Sequence, residues 1–404
     1  AIAPSSFVTD GLRIPSDPLF SVEWGLHNVL SNGTRIGADI QAPAAWNQFT
    51  GTQTNTITNS VLIAIIDSGV DYNHEDLKDG RVRTDIDHDY INKDDDAMDD
   101  AGHGTHVAGT IAAATDNGVG IAGIVWQAEI LPLKVCDSTG SCGLDYIVNA
   151  IKYAADHGAR VINMSLGSDS CSETLEDAID YAYFEKGVVI VAAAGNNDSS
   201  VGYPAKYEPV LAVGAIDRHS QRAYFSDNGP ALDISAPGVR VFSTVPNNNY
   251  EAYSGTSMAS PHVAGVAALL ISQRPELTNN QVRQMLLDSA TDLGSVDKDY
   301  YFGYGVVNAA AALQVSAPIS PTVPDISRCV AEECSGEATV IGETDALQLL
   351  QTLRAVRDQV FAQQAFSQRW SEIYYQNQSE VFWRVLADAE LRGAALKAMR
   401  SLNP

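Results

Sequence analysis

Five apolar-rich runs of strand length, at residues 61–66, 130–135, 161–166, 188–194 and 210–215, most constrain how this 404-residue chain can fold. Between several of them lie segments with helical spacing, at 146–157, 175–184 and 262–273. A strand that is apolar at nearly every position buries both faces, which requires helices on both sides of the sheet and helical crossovers between parallel strands. The expected fold class is therefore α/β with a mostly parallel central sheet, occupying about residues 17–312.

Composition narrows the function. A hydrophobic fraction of 45 % with 19 % charged residues suits a soluble globular chain and excludes a disordered, collagen-like or coiled-coil one. Fifty acidic against 25 basic residues give a net charge of −25, which repels a phosphate backbone and argues against nucleic acid as a partner. Only 11 acidic and 8 basic residues follow Ala317, so about −22 of that charge lies before it. No apolar run approaches the ~18 residues that span a bilayer, so no transmembrane segment is expected. The chain does not open with a basic stretch followed by an apolar one, which reads as a processed end from which any secretory signal has been removed.

The domain reading is an N-terminal arm at 1–16, a catalytic-sized domain at 17–315, a linker at 316–327 marked by Pro318, Pro321 and Pro324, and an extension at 328–404. In the extension Ala346, Leu349, Leu353, Val356 and Val360 recur at helical spacing after Thr344, and Phe366, Trp370, Tyr374, Tyr375, Phe382 and Trp383 form an aromatic tail. These helices either pack on themselves or the core, or contact a partner or envelope surface. The five cysteines suggest two short bridges, Cys136 with Cys142 and Cys329 with Cys334, plus Cys171 alone; five reduced thiols are the alternative.

Three segments carry candidate chemistry. Ile65-Ile66-Asp67-Ser68-Gly69 is an apolar strand ending in a carboxylate, at the strand end where open α/β sheets place ligands. His103-Gly104-Thr105-His106-Val107-Ala108-Gly109 opens a helix of small residues with a histidine. Gly255-Thr256-Ser257-Met258-Ala259-Ser260-Pro261 sets a serine after a glycine turn, near the free N–H groups of a helix start. Singly they read as a turn, a pair of metal ligands or satisfied polar groups, and a helix cap.

Together, in the order Asp, His, Ser, the three segments resemble the subtilisin-like serine proteases, or subtilases, and within them the secreted bacterial subtilisin and thermitase branches. The resemblance covers about residues 17–312 and implies a three-layer fold with a mostly parallel sheet, to which a small helical C-terminal extension is added. It implies a secreted serine endopeptidase working through an acyl-enzyme, made with an inhibitory N-terminal propeptide that is later cleaved. A peptide ligase or macrocyclase on the same residues is the alternative; a non-catalytic binding protein is disfavoured because the whole set is present. By this resemblance Ser257 is the nucleophile, His103 its base, Asp67 the carboxylate that orients the imidazole, and Asn196 a donor to the oxyanion.

The resemblance also assigns binding residues. A polypeptide substrate would pair with the edge Ser165-Leu166-Gly167, giving broad specificity, because main-chain pairing reads few side chains. Ala194, Gly195 and Gly202 match a primary pocket open to large apolar residues, although Ala205 and Asn197 depart from the common pattern. A tight calcium site maps onto Asp17, Asp76 and Asn117 with the carbonyls of Ala114, Val119 and Ile121. A second calcium loop maps onto Asp89, Asn92, Asp94 and Asp96, with a solvated acidic loop as the alternative.

Overall fold

The computed structural model describes residues 11–29, 36–51, 60–319 and 321–324. The second cysteine pair and the helices of the extension lie outside these residues.

Seven parallel strands form the central sheet: β1 Leu62–Asp67, β2 His88–Asp89, β3 Glu129–Lys134, β4 Val161–Met164, β5 Val189–Ala193, β6 Val210–Ile216 and β7 Ile234–Pro237. Their spatial order is β2-β3-β1-β4-β5-β6-β7. A separate antiparallel hairpin pairs β8 Val241–Val245 with β9 Asn249–Tyr253. The helices are α1 Ala42–Trp46, α2 His103–Ala112, α3 Leu144–Asp156, α4 Glu173–Asp180, α5 Thr256–Gln273, α6 Asn279–Asp288 and α7 Ala309–Ala312. The α/β expectation holds.

Successive residues of a strand face opposite sides, and β1 divides accordingly. Ile63 and Ile65 join one core with Val107, Ile111, Val263 and Leu270 of α2 and α5, whereas Leu62, Ala64 and Ile66 join another with Ile147, Ile151 and Ile179 of α3 and α4. Two cores on the two faces of one sheet make three layers, and they explain why the strand sequences are apolar throughout.

Three helices begin before their expected bounds. α3 and α4 each begin two residues earlier than their apolar spacing suggests, and α5 begins at Thr256 rather than His262, with Pro261 inside it. Proline has no N–H for the carbonyl four residues before it, here that of Ser257. Ser165 Oγ donates to that oxygen at 2.8 Å, so the helix continues through the proline.

The Cys136–Cys142 bridge forms; Cys171 has no bridge among the described residues. No helix among the described residues is long and apolar enough to cross a membrane.

Candidate active site

The strand order reverses direction around β1, which lies between β3 and β4, and a crevice opens at the carboxyl ends of the strands. Asp67 is the last residue of β1, Ser165 follows β4, and Asn196 follows β5 by three positions. Topology alone therefore gathers three of the candidate residues at one edge of the sheet.

α2 starts at His103 and runs against β1. A Cβ on Gly104 would stand 2.1 Å from Gly69 O, so only glycine allows this approach. The approach brings His103 Nδ1 to 2.8 and 3.0 Å from the two oxygens of Asp67. Because a carboxylate only accepts, Nδ1 carries the proton and Nε2 is left with its lone pair. Asp67 is buried and also accepts from Ser68 N, whereas the imidazole remains about a third exposed.

A second buried carboxylate organises this corner. Asp99 accepts from Ser68 Oγ, Ala101 N, Gly102 N, Thr105 N and Thr105 Oγ1, and Ser68 Oγ in turn accepts from Gly104 N at 2.9 Å. The residue after the catalytic-candidate aspartate is thereby tied to the residue after the histidine. Burial pulls the His103 pKa down, but the charge and hydrogen bond of Asp67, with the charge of Asp99, outweigh it and leave the imidazole more basic than usual. The neighbouring His106 is held neutral, its pKa pushed down to about 3 mainly by burial.

Ser257 sits at the second position of α5, with its hydroxyl donating to Ser165 O at 3.2 Å. A buried polar chain fixes this contact: Ser260 Oγ donates to Asn163 Oδ1, Asn163 Nδ2 donates to Ser165 Oγ, and Ser165 Oγ donates to Ser257 O. Asp67, His103 and Ser165 line one groove of about 530 Å³, walled on its apolar side by Leu144, Ile147 and Leu175.

Asn196 Oδ1 accepts from Thr256 N at 2.8 Å and Thr256 Oγ1 at 3.1 Å, which assigns the amide orientation and leaves Nδ2 as a donor. A Cβ on the intervening Gly255 would stand 3.6 Å from Asn196 Nδ2 and 3.7 Å from Ser257 N, so both donors border one small space. Ala194, Gly195 and Gly202 also come together: Gly202 N donates to Ala194 O at 2.9 Å, and Gly195 N to Thr256 Oγ1 at 3.1 Å. Ser168 and Tyr203 exchange two backbone bonds of 2.8 Å, joining the edge segment to this pocket. Leu166 and Gly167 have no backbone hydrogen-bond partner among the described residues.

Of the first cation set, Asp17, Asp76 and Asn117 meet. Asp17 accepts from the N–H groups of Asp116 and Asn117, and Asp76 accepts from Asn117 Nδ2, Ile121 N and Tyr250 OH. Asp76 O also accepts from Ala114 N, and Asn117 Oδ1 from Val119 N, so the loop of candidate carbonyls closes around the two carboxylates. Burial raises the pKa of both acids and that of Glu23, which accepts from Ala122 N and also feels the charges of Asp17 and Asp76. Asp17, Asp76 and Glu23 are thus neighbouring buried acids held by backbone and side-chain donors, and oxygen ligands of this kind are the type a hard cation takes.

The second set is less united. Asp89 accepts from Ile91 N, Asn92 N and Asn92 Nδ2, and Asp94 pairs with it through the backbone, whereas Asp96 accepts from Tyr72 OH. Asp87, buried nearby, has one oxygen without a hydrogen-bond partner among the described residues; its pKa is raised by burial and by Asp95 and Asp96. Among the described residues no three His, Cys, Asp or Glu side chains form a compact ligand cluster.

Sequence reasoning missed Ser68, Asp99, Asn163, Thr256 and Glu23. Only Thr256 and Ser68, adjacent to candidate residues, left a signal that could have found them.

Comparison with known proteins gives the family. Residues 58–305 match the model of the subtilase family. Subtilisin DY of Bacillus licheniformis is 46 % identical over 260 residues, covering 63 % of this chain and 91 % of its own length. Subtilisin of Bacillus pumilus is 45 % identical over 283 residues, covering 69 % and 97 %. A solved protease structure from Pseudoalteromonas arctica has a TM-score of 0.65 at 31 % identity, covering 75 % of this chain and 99 % of that one. The match takes in more than half of the chain, including all three motif segments, and so the chain belongs to the subtilase family and is a serine endopeptidase.

Proposed function

We propose that Ser257, His103, Asp67 and Asn196 carry out peptide hydrolysis through an acyl-enzyme. The observation that carries this reading is the Asp67–His103 bond of 2.8 Å in a groove whose edge residue, Ser165, also holds the Ser257 hydroxyl. In this reading the Ser257 hydroxyl exchanges its bond to Ser165 O for one to Nε2. Nε2 takes the proton as Oγ attacks the scissile carbonyl, and the imidazolium is stabilised through Nδ1 by the buried Asp67. The negative charge reaching the former carbonyl oxygen is met by Asn196 Nδ2 and Ser257 N–H. Nε2 then protonates the departing amine, and water repeats the cycle on the ester with His103 again as base.

An extended peptide pairing with Leu166 and Gly167 accounts for broad specificity, since these backbone groups are free of partners among the described residues. Ala194, Gly195 and Gly202 would receive a large apolar side chain. Calcium, held by Asp17, Asp76 and Asn117 with the carbonyls of Ala114, Val119 and Ile121, would neutralise the buried acids and brace the loop; it takes no part in the proton transfers. Asp89, Asn92, Asp94 and Asp96 would form a weaker second site. Secretion and a cleaved propeptide are part of the same reading.

Labelling with a fluorophosphonate tests it. The adduct mass is expected on the peptide containing Ser257, with Ser257→Ala unlabelled and without peptidase activity; labelling elsewhere, or an active Ser257→Ala, overturns the assignment. Product masses with an added amine separate hydrolysis from acyl transfer to nitrogen.

A further inference from the structure

Asn196 stands in the segment that leaves β5, and its neighbours on both sides are bound to one buried residue. Asp227 Oδ1 accepts from Asn197 N at 2.9 Å, from Ser199 N at 2.7 Å and from Ser199 Oγ at 3.1 Å. The Asp227 backbone N–H donates to Gly195 O at 2.9 Å. The other carboxylate oxygen lies where a side chain of residue 195 would begin: a Cβ on Gly195, whose φ is +119°, would be 2.0 Å from Asp227 Oδ2. Asp227 is 1 % exposed and makes no ion pair among the described residues; the nearby Arg222 pairs with Asp198.

We propose that Asp227 is a positioning residue for the oxyanion-binding amide, clamping the peptides before and after Asn196 so that Nδ2 is aimed at the developing charge. The inference rests on the reading of Asn196 given above. Three donors converge on a single oxygen, a demand that a carboxylate meets better than a hydroxyl. A buried negative charge on this side of the site would by itself repel an oxyanion, so the benefit of Asp227 comes through geometry. That is useful experimentally, because geometry and charge respond differently to substitution. Asp227→Asn keeps an acceptor at the Oδ1 position and removes the charge, whereas Asp227→Ala removes the acceptor. Thr256 fixes the Asn196 side chain from the helix side; Asp227 fixes its backbone from the opposite one.

The test is a double-mutant cycle on the full chain, with kcat normalised to sites titrated by a fluorophosphonate. Asp227→Ala is expected to lower kcat about tenfold with KM within about twofold, a fraction of the 10²- to 10³-fold that loss of a whole oxyanion donor costs. Asp227→Asn should stay within about threefold of the parent. In an Asn196→Ala background, Asp227→Ala should lower kcat no further, because the group it aims is gone. If Asp227→Ala does not fold, Asp227→Ser, too short to reach both amides, replaces it with the same expectations. An unchanged kcat in the single variant, or a full tenfold loss recurring beside Asn196→Ala, overturns the proposal. Should Asn196→Ala alone leave kcat intact, the oxyanion reading itself fails, an outcome distinct from the failure of Asp227.

Discussion

Gly104→Ala attacks the seam on which the catalytic geometry depends. The added Cβ would begin 2.1 Å from Gly69 O and 3.2 Å from Asp67 Cβ. Carbon and carbonyl oxygen sit at about 3.3 Å or more even in favourable contacts, so the start of α2 and the end of β1 must separate by about 1 Å. Hydrogen bonds from His103 Nδ1 to the two Asp67 oxygens at 2.8 and 3.0 Å and from Gly104 N to Ser68 Oγ at 2.9 Å cross that seam, and a shift of that size takes them past the ~3.5 Å limit of a hydrogen bond. Overpacking of this kind costs about 1–3 kcal/mol, a melting-temperature drop of roughly 2–12 °C in a domain this large. Misplacing a catalytic group by about 1 Å costs about 100-fold in rate. The expected variant is folded at 25 °C, melts earlier, and turns over about 100-fold more slowly per titrated site, with a much smaller change in KM. Steady-state kinetics on a chromogenic peptide and a thermal scan of the same sample measure both effects. A variant with kcat within threefold of the parent would refute the reasoning, whether or not it melts earlier, because the seam would then have no hold on the chemistry.

Asn196→Ala should lower kcat about 10²- to 10³-fold at nearly constant KM, a magnitude already known for the matching asparagine of subtilisin; a KM effect without a kcat effect would remove the residue from transition-state stabilisation. In the proposed mechanism His103 works as neutral imidazole, and its pKa lies above the usual 6.5, so the acid limb of kcat/KM should be centred above pH 6.5. Asp99→Asn deletes one of the charges that raise it, and the limb should move to lower pH; a limb that stays in place would show that Asp99 acts only through its hydrogen bonds. Chelation should lower the melting temperature: calcium at 100 times its Kd stabilises by about 2.7 kcal/mol, and Asp76→Asn should abolish most of that calcium-dependent gain. A melting temperature indifferent to excess chelator in the parent would remove calcium from the account.

What could be read from the sequence follows from what is local. Asp67, His103 and Ser257 each occupy the end of a strand or the start of a helix inside a short segment of distinctive neighbours, so their places in the fold were legible, and Asp67 and His103 line the groove. So were the buried parallel strands and the Cys136–Cys142 bridge, whose partners are six residues apart. The residues that hold the site together are of another kind. Asp99 reaches Ser68 across 31 positions, Glu23 reaches Ala122 across 99, and Ser165 reaches Ser257 across 92, and no periodicity or spacing announces which buried acceptor will meet which distant donor.

The first half of α5 shows why such contacts matter beyond stability. A proline at position 261 argues, from the sequence, for a helix that begins near it, because the carbonyl of Ser257 would otherwise lose its partner. The fold supplies that partner from β4, through Ser165 Oγ. The same serine offers its own carbonyl to the Ser257 hydroxyl and, through Asn163, is braced from the sheet core. One interaction thus lets the helix extend back to Thr256, sets Ser257 in its first turn where free N–H groups point outward, and binds the proposed nucleophile to the segment after β4, along which a substrate would lie. Removing the hydroxyl with Ser165→Ala leaves the Ser257 carbonyl without a donor, and the start of α5 should loosen. If so, kcat falls together with the melting temperature. A loss of stability at constant kcat would mean that the nucleophile is held in place by the remainder of α5 alone.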